Sequence, residues 1–107
     1  MNEEAGAKEG SGADADAALI VRELEICNKK GLHARASAKF VQLVEKYDAE
    51  VKVKRGHETV GGTSIMGLMM LAAGPGTTIT VEATGAQAEA VMDAIEILLA
   101  TRFGEDE

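Results

Sequence analysis

The sequence is poor in cysteine, in aromatic residues and in long apolar runs. Cys27 is the only cysteine among 107 residues, which excludes an intramolecular disulfide and a cysteine-rich metal site and favours a reducing, cytoplasmic setting. No apolar run approaches the ~20 residues that cross a bilayer, and the acidic N-terminus lacks the apolar segment of a secretion signal. Aromatic residues make up 3% of the chain, so aliphatic residues, alanine and methionine must fill the core. We therefore expect a small cytoplasmic protein with no membrane contact.

Charge is distributed unevenly along the chain, whose formal net charge is −7. Residues 1–18 and 105–107 carry all of the acidic excess. Between them, residues 22–55 hold nine bases and five acids, whereas residues 56–104 hold one base and five acids. Nucleic-acid binding is not expected of so acidic a chain. The basic first half suits an acidic protein partner or a phosphate group, although a solvated surface of mixed charge is the simpler explanation.

Composition divides the chain into three parts. Residues 1–18 are rich in glycine, alanine and acids, and no large apolar residue follows the initiator methionine, so we expect a disordered acidic tail. Residues 19–104 carry the apolar periodicities and are predicted to form one small domain. Residues 105–107 are interpreted as an acidic C-terminal end.

Apolar periodicity within the domain predicts alternating strands and helices. Alternation of apolar and polar residues predicts strands at 19–27, 51–54, 58–60 and 77–83, and helical spacing predicts helices from residue 34 and over 64–71. Thr84 is predicted to cap a final helix, and Cys27 to be a half-buried apolar residue. The order β-α-β-β-α-β-α indicates an α+β fold: an open-faced β-sandwich, with a four-stranded antiparallel sheet covered on one face by three helices.

One histidine lies at a position where a reactive side chain is expected, at the start of a predicted helix. His33 stands in the segment Gly31-Leu32-His33-Ala34-Arg35-Ala36, just where the first helix begins. The first turn of a helix has free N–H groups and attracts anions, and Arg35 can bind a phosphate with its forked guanidinium. A neutral imidazole is a competent nucleophile, so His33 could carry a phosphoryl group. On spacing alone, a surface histidine that happens to precede a helix remains the simpler interpretation.

A second segment, Thr63 to Leu71, combines a serine with a run of methionine and leucine. Ser64 stands at a helix N-cap position, and a cap is its default role. Phosphate on Ser64 would suit a helix N-terminus and would repel an acidic partner. Because a short helix cannot bury every side, Ile65, Met66 and Met69 are candidates for an adaptable apolar surface. Zinc binding is not expected, since no Cys/His/Asp cluster is present.

Together these two segments resemble the HPr family, the histidine-phosphorylatable phosphocarriers of the bacterial phosphoenolpyruvate-dependent phosphotransferase system. GLHARAS resembles the active-site motif of the family, and TSIMGLMML resembles its regulatory-serine motif. The resemblance covers Leu19 to Phe103 and implies the same open-faced β-sandwich. It implies a carrier that takes phosphate from Enzyme I and passes it to an EIIA protein, without a cofactor or a metal. Such a protein is a phosphoryl-transfer partner rather than a stand-alone enzyme, and a monomer is expected.

The resemblance also implies a role for each matching residue. His33 corresponds to the histidine that is phosphorylated on Nδ1, and Arg35 to the arginine that supports the phosphoryl group. Ser64 corresponds to the serine that an ATP-dependent HPr kinase/phosphorylase modifies in some bacteria. Ile65 and Met66 correspond to apolar contacts with Enzyme I and EIIA proteins. Ala34 and Met69 complete the candidate partner-binding residues.

Some residues depart from the family pattern. Ala36 stands where many members have proline, and Gln42 and Glu45 stand where members that serve sugar uptake often carry bases. These differences leave a nitrogen-type or signalling member, which regulates partners by phosphorylation-dependent contact, as the alternative. A ligand-sensing module of the ferredoxin-like kind, whose activity would survive loss of His33, is a more distant alternative.

Overall fold

Alternating apolar residues form a four-stranded antiparallel sheet in the computed structural model, which describes residues 19–106. The strands, numbered along the chain, are β1 (Ile20–Glu25), β2 (Glu50–Arg55), β3 (Glu58–Gly61) and β4 (Thr78–Thr84). They lie in the order β1-β4-β2-β3, so β4 pairs with both β1 and β2. The predicted disordered tail at 1–18 lies outside the described residues.

Three helices pack with the sheet and complete the predicted architecture. They are α1 (Ala34–Val44), α2 (Ile65–Met70) and α3 (Ala88–Ala100), and a single 3-10 turn at Arg102–Gly104 follows α3. The inward-facing residues of β2 and β4 are buried in the same core as apolar residues of the helices, which include Phe40, Leu68 and Ile95. The expected open-faced α+β fold is confirmed. Within residues 19–106, no helix is long and apolar enough to span a bilayer.

Two local predictions were wrong. Thr84 does not cap the last helix, because it ends β4 and pairs with Glu50 of β2. The N-cap of α3 is Gln87, whose side chain makes no cap hydrogen bond within the part of the chain that the structure describes. Cys27 is exposed rather than half-buried. The reason is the alternation of the chain: Ile26 is fully buried, so its neighbour points away from the core.

The connection between β1 and α1 is held tightly against the loop that follows α2. Gly31 has a φ of +64°, and a Cβ at this position would lie 2.3 Å from the carbonyl oxygen of Ala73. The same oxygen accepts a hydrogen bond from the backbone N–H of Leu32 at 3.0 Å. The start of α1, and with it His33, therefore has a fixed position relative to the core.

Candidate functional site

His33 lies where the first helix begins, as the sequence predicts, and it is the N-cap residue of α1. Its backbone is extended, with φ −74° and ψ −177°, and its carbonyl accepts the first helical hydrogen bond from the N–H of Ser37 at 2.8 Å. The imidazole is partly exposed, at 26% of its side-chain surface. Its Nδ1 accepts a hydrogen bond from the backbone N–H of Arg35 at 3.3 Å. The ring nitrogen thus takes the place that a serine or threonine oxygen usually takes at a helix start.

The hydrogen bonds of the ring define its tautomer. Because Nδ1 accepts a hydrogen bond, the proton of the neutral imidazole lies on Nε2. Nε2 is 2.6 Å from Oε2 of Glu105, to which it donates. The lone pair of Nδ1 is therefore directed at the backbone N–H of Arg35 in the first helical turn, where an anion is most stable.

Glu105 is the residue that sequence reasoning missed, since residues 105–107 were interpreted only as an acidic end. The chain reverses after α3 through positive φ angles at Arg102, Phe103 and Gly104. Phe103 is 1% exposed in the core, and its carbonyl accepts a hydrogen bond from Nζ of Lys39 in α1 at 2.6 Å. A large aromatic residue followed by glycine near the end of an otherwise polar segment is the signal that could have indicated a docked C-terminus.

Asn28 is the second residue that the sequence analysis did not single out. It is fully buried, and its Nδ2 donates to the carbonyl of Gly31 at 2.8 Å and to Oε1 of Glu105 at 3.1 Å. Asn28 and His33 therefore bind the two oxygens of one carboxylate. The C-terminal segment and the loop before α1 are joined at the site by these contacts.

The surroundings of Glu105 favour its ionised form. Burial alone would raise the pKa of this carboxyl group, but hydrogen bonds from His33 and Asn28, together with the positive charge of Lys39, lower it below the ordinary value of 4.5. Glu105 is consequently a carboxylate at neutral pH, and it acts as a hydrogen-bond acceptor toward both neighbours.

An open pocket of about 420 Å³ surrounds the imidazole. Four cationic side chains and two carboxylates line it together with His33 and Gly104; these are Lys29, Lys30, Arg35, Lys39, Glu105 and Asp106. The excess of cations suits a phosphoryl group on Nδ1. Among the described residues, no three side chains of His, Cys, Asp or Glu gather where they could hold a metal ion.

The second candidate segment forms a separate feature of the surface. Ser64 is the N-cap of α2, and its Oγ accepts a hydrogen bond from the N–H of Gly67 at 2.9 Å, so the predicted cap is confirmed. Ile65, Met66 and Met69 are 40%, 70% and 41% exposed, as expected, and Met70 adds a fourth exposed apolar side chain at 70%.

The two candidate segments do not share one pocket. None of these α2 residues is among the described residues that line the pocket of His33. Ala34, by contrast, is exposed beside His33 as the first residue of α1. His57 is exposed in the turn between β2 and β3, outside both segments.

The sequence of the chain is similar to those of known proteins. A sequence model described as the PTS HPr component phosphorylation site matches residues 20–101. The chain belongs to the PTS-HPr family. A phosphocarrier protein HPr from Cupriavidus necator is 49% identical over 89 residues, which cover 83% of this chain and 100% of that protein. A phosphocarrier protein NPr from Shewanella violacea is 43% identical over 86 residues, which cover 80% of this chain and 94% of that protein.

Solved HPr structures share the fold of this PTS-HPr chain. A crystal structure of HPr-C-His from Thermoanaerobacter tengcongensis matches with a TM-score of 0.78 and 35% identity, covering 82% of this chain and 99% of that one. Family membership supports a phosphocarrier role in the phosphotransferase system, with Enzyme I and EIIA proteins as partners in general.

Proposed function

We propose that the chain accepts a phosphoryl group on Nδ1 of His33 from Enzyme I and passes it to an EIIA protein. The observation that carries this proposal is the direction of the Nδ1 lone pair. It lies at the N-terminus of α1, while the opposite ring nitrogen donates its proton to Glu105. A nucleophile in this position needs no base to deprotonate it, because the attacking nitrogen carries no proton. Only the hydrogen bond from the N–H of Arg35 must break, and that N–H is then available to a phosphoryl oxygen.

The site can stabilise the transferred group mainly by electrostatics. In-line phosphoryl transfer needs positioning and charge stabilisation more than covalent assistance. The free N–H groups of the first turn of α1 and the guanidinium of Arg35 are the groups that would meet the phosphoryl oxygens. The site is open, so phosphate bound there stays accessible to the next acceptor.

The exposed apolar side chains of α2 suit contact with successive partners. Ile65, Met66 and Met69, with Ala34 beside the histidine, would bury apolar area against Enzyme I and EIIA proteins. Methionine adapts to differently shaped surfaces, which a carrier with several partners requires. A phosphate on Ser64, added by an HPr kinase/phosphorylase, would place negative charge next to this surface and weaken binding to an acidic partner.

The nitrogen-type or signalling role is the second candidate function. Gln42 and Glu45 are both exposed near the C-terminal end of α1, so this face offers no base at these positions to an acidic EIIA of the sugar type. The identity to an NPr protein is compatible with either branch. Transfer rates to purified EIIA proteins of the sugar and nitrogen types would separate the two, since a sugar-type carrier should favour the first.

The direct test of the proposal is phosphorylation by phosphoenolpyruvate and purified Enzyme I. We expect one added phosphate by intact mass, which acid treatment removes and His33→Ala abolishes. An acid-stable phosphate, or full phosphorylation of His33→Ala, would overturn the assignment.

A further inference from the structure

Asn28, Glu105 and His33 form a hydrogen-bonded chain that ends on the ring nitrogen opposite the proposed site of phosphorylation. We infer that Glu105 keeps a proton on Nε2 of His33 throughout phosphoryl transfer, and that Asn28 is the positioning residue that holds Glu105 in place. This inference rests on the proposed function, because it concerns the state in which His33 carries phosphate.

The hydrogen bonds of Asn28 indicate that its Nδ2 group is the part of the side chain on which the local structure depends. Both acceptors near its Nδ2, the carbonyl of Gly31 and the carboxylate of Glu105, can only accept hydrogen bonds, so the amide cannot be reversed. Its Oδ1 is buried and has no hydrogen-bond partner among residues 19–106. Burying an unpaired oxygen is unfavourable, and an asparagine purely for packing would be replaced by an apolar residue. The presence of an amide side chain at position 28 is therefore explained by the two hydrogen bonds that it donates, one of which goes to Glu105.

The charge of the imidazole changes in the reaction, and this change gives Glu105 its role. The Nδ1 lone pair forms the bond to phosphorus, the bond from phosphorus to the donor imidazole of Enzyme I breaks, and that electron pair stays on the donor nitrogen. With its Nε2 proton in place, the ring of His33 is neutral before the step and cationic after it. Glu105 then neutralises this cation across the 2.6 Å contact that already exists in the free protein.

The retained proton also favours release of the phosphoryl group. When the phosphoryl group leaves a ring that is protonated on Nε2, the leaving group is neutral imidazole. Without that proton, the leaving group would be an imidazolate, which is far more basic. The other charged groups around the pocket are Lys29, Lys30, Arg35, Lys39 and Asp106. The carboxylate of Glu105 is the negative group in direct contact with Nε2, and its charge is opposite to that of the ring that the reaction makes cationic.

The test measures the Nε2 proton in the phosphorylated protein. The full chain, labelled with 15N-histidine, is phosphorylated with phosphoenolpyruvate and Enzyme I, and the 15N shifts of His33 are followed between pH 6 and pH 10. We expect the ratio of protonated to deprotonated Nε2 at a given pH to be about tenfold lower in Glu105→Gln, the effect of one lost charge-assisted hydrogen bond. Asn28→Ala should shift the ratio in the same direction by about threefold or more.

A matched variant distinguishes the direct contact between Glu105 and Nε2 from the general electrostatic effect of negative charge in the pocket. Asp106→Asn removes one negative charge from the same pocket without touching Nε2, and we expect it to change the ratio by less than about twofold. Glu105→Gln should also lose transfer to EIIA at a lower pH than the wild-type protein does. A structural role alone would leave both readouts unchanged.

The outcomes distinguish the inference from the function on which it rests. If wild-type His33 acquires no phosphate, both are overturned. If His33 is phosphorylated and Glu105→Gln retains the wild-type protonation profile, the proposed function stands and the role of Glu105 is refuted. If Glu105→Gln shifts the profile but a folded Asn28→Ala, judged by its circular dichroism, does not, the positioning role of Asn28 is refuted.

Discussion

Replacement of Gly31 by alanine should reveal how strongly the fold fixes the start of α1. The φ of +64° costs an L-residue about 1–2 kcal/mol. The new Cβ would also lie 2.3 Å from the carbonyl oxygen of Ala73, so that carbonyl must move. Moving it weakens the hydrogen bond from Leu32, and overpacking of this kind costs about 1–3 kcal/mol.

Gly56 provides a matched control for this prediction. Its φ of +62° is nearly the same, but a Cβ at Gly56 would meet no atom of the described residues within 4 Å. Gly56→Ala therefore carries the conformational strain and the loss of chain entropy in the unfolded state without the clash. We expect Gly31→Ala to be less stable than Gly56→Ala by about 2–3 kcal/mol, or about 10–20 °C in Tm for a domain of this size.

Urea denaturation and thermal melting of the two variants measure this difference. Phosphorylation of Gly31→Ala by Enzyme I should also be slowed, by up to about 100-fold, because His33 follows the displaced backbone and small misplacements of reacting groups are costly. Equal stability of the two variants would refute the reasoning, since it would mean that the contact between Gly31 and Ala73 does not constrain this loop.

Three further predictions concern the side chains of Glu105, Arg35 and Ser64. The lowered pKa of Glu105 means that its charge stabilises the fold above pH 4.5 and that this contribution is lost as the pH falls through the lower, folded-state pKa. Glu105→Gln should thus melt below the wild-type protein at pH 7 and approach it at pH 3; a constant difference in Tm would contradict this. Arg35→Glu should slow transfer from Enzyme I at least tenfold with Tm changed by only a few degrees, because Arg35 is exposed; unchanged kinetics would exclude its role. Ser64→Ala should cost about 1 kcal/mol by loss of the cap to Gly67, whereas Ser64→Asp should keep the cap and weaken binding to Enzyme I several-fold, as titration calorimetry would show. Equal affinity of Ser64→Asp and wild type would leave Ser64 as a cap only.

Local signals in the sequence were sufficient for most of the architecture. The alternation at Val51, Val53, Ile79 and Val81 defines strands whose inner residues are buried, and the N-cap role of Ser64 depends only on residues three positions apart. Where a local preference competed with pairing between strands, the pairing prevailed. Thr84 is a good capping residue, but it pairs with Glu50 of β2 and so belongs to the sheet.

The supporting contacts of the site depend on tertiary structure and were not accessible from the sequence pattern. Arg102 and Phe103 adopt positive φ angles that non-glycine residues rarely adopt, so no local rule predicts the reversal of the chain after α3. The contact between His33 and Glu105 joins residues 72 positions apart. It forms because burial of Phe103 outweighs the backbone strain, a balance that only the packed core determines.

Intact mass after incubation with phosphoenolpyruvate and Enzyme I tests most directly whether His33 carries the phosphoryl group. His57→Ala is the matched control, since His57 is the other histidine of the chain and is exposed in the turn between β2 and β3. We predict one acid-labile phosphate on the wild-type protein and on His57→Ala, and none on His33→Ala. Labelling of His33→Ala, or no labelling of the wild-type protein by Enzyme I of either the sugar or the nitrogen type, would contradict the account.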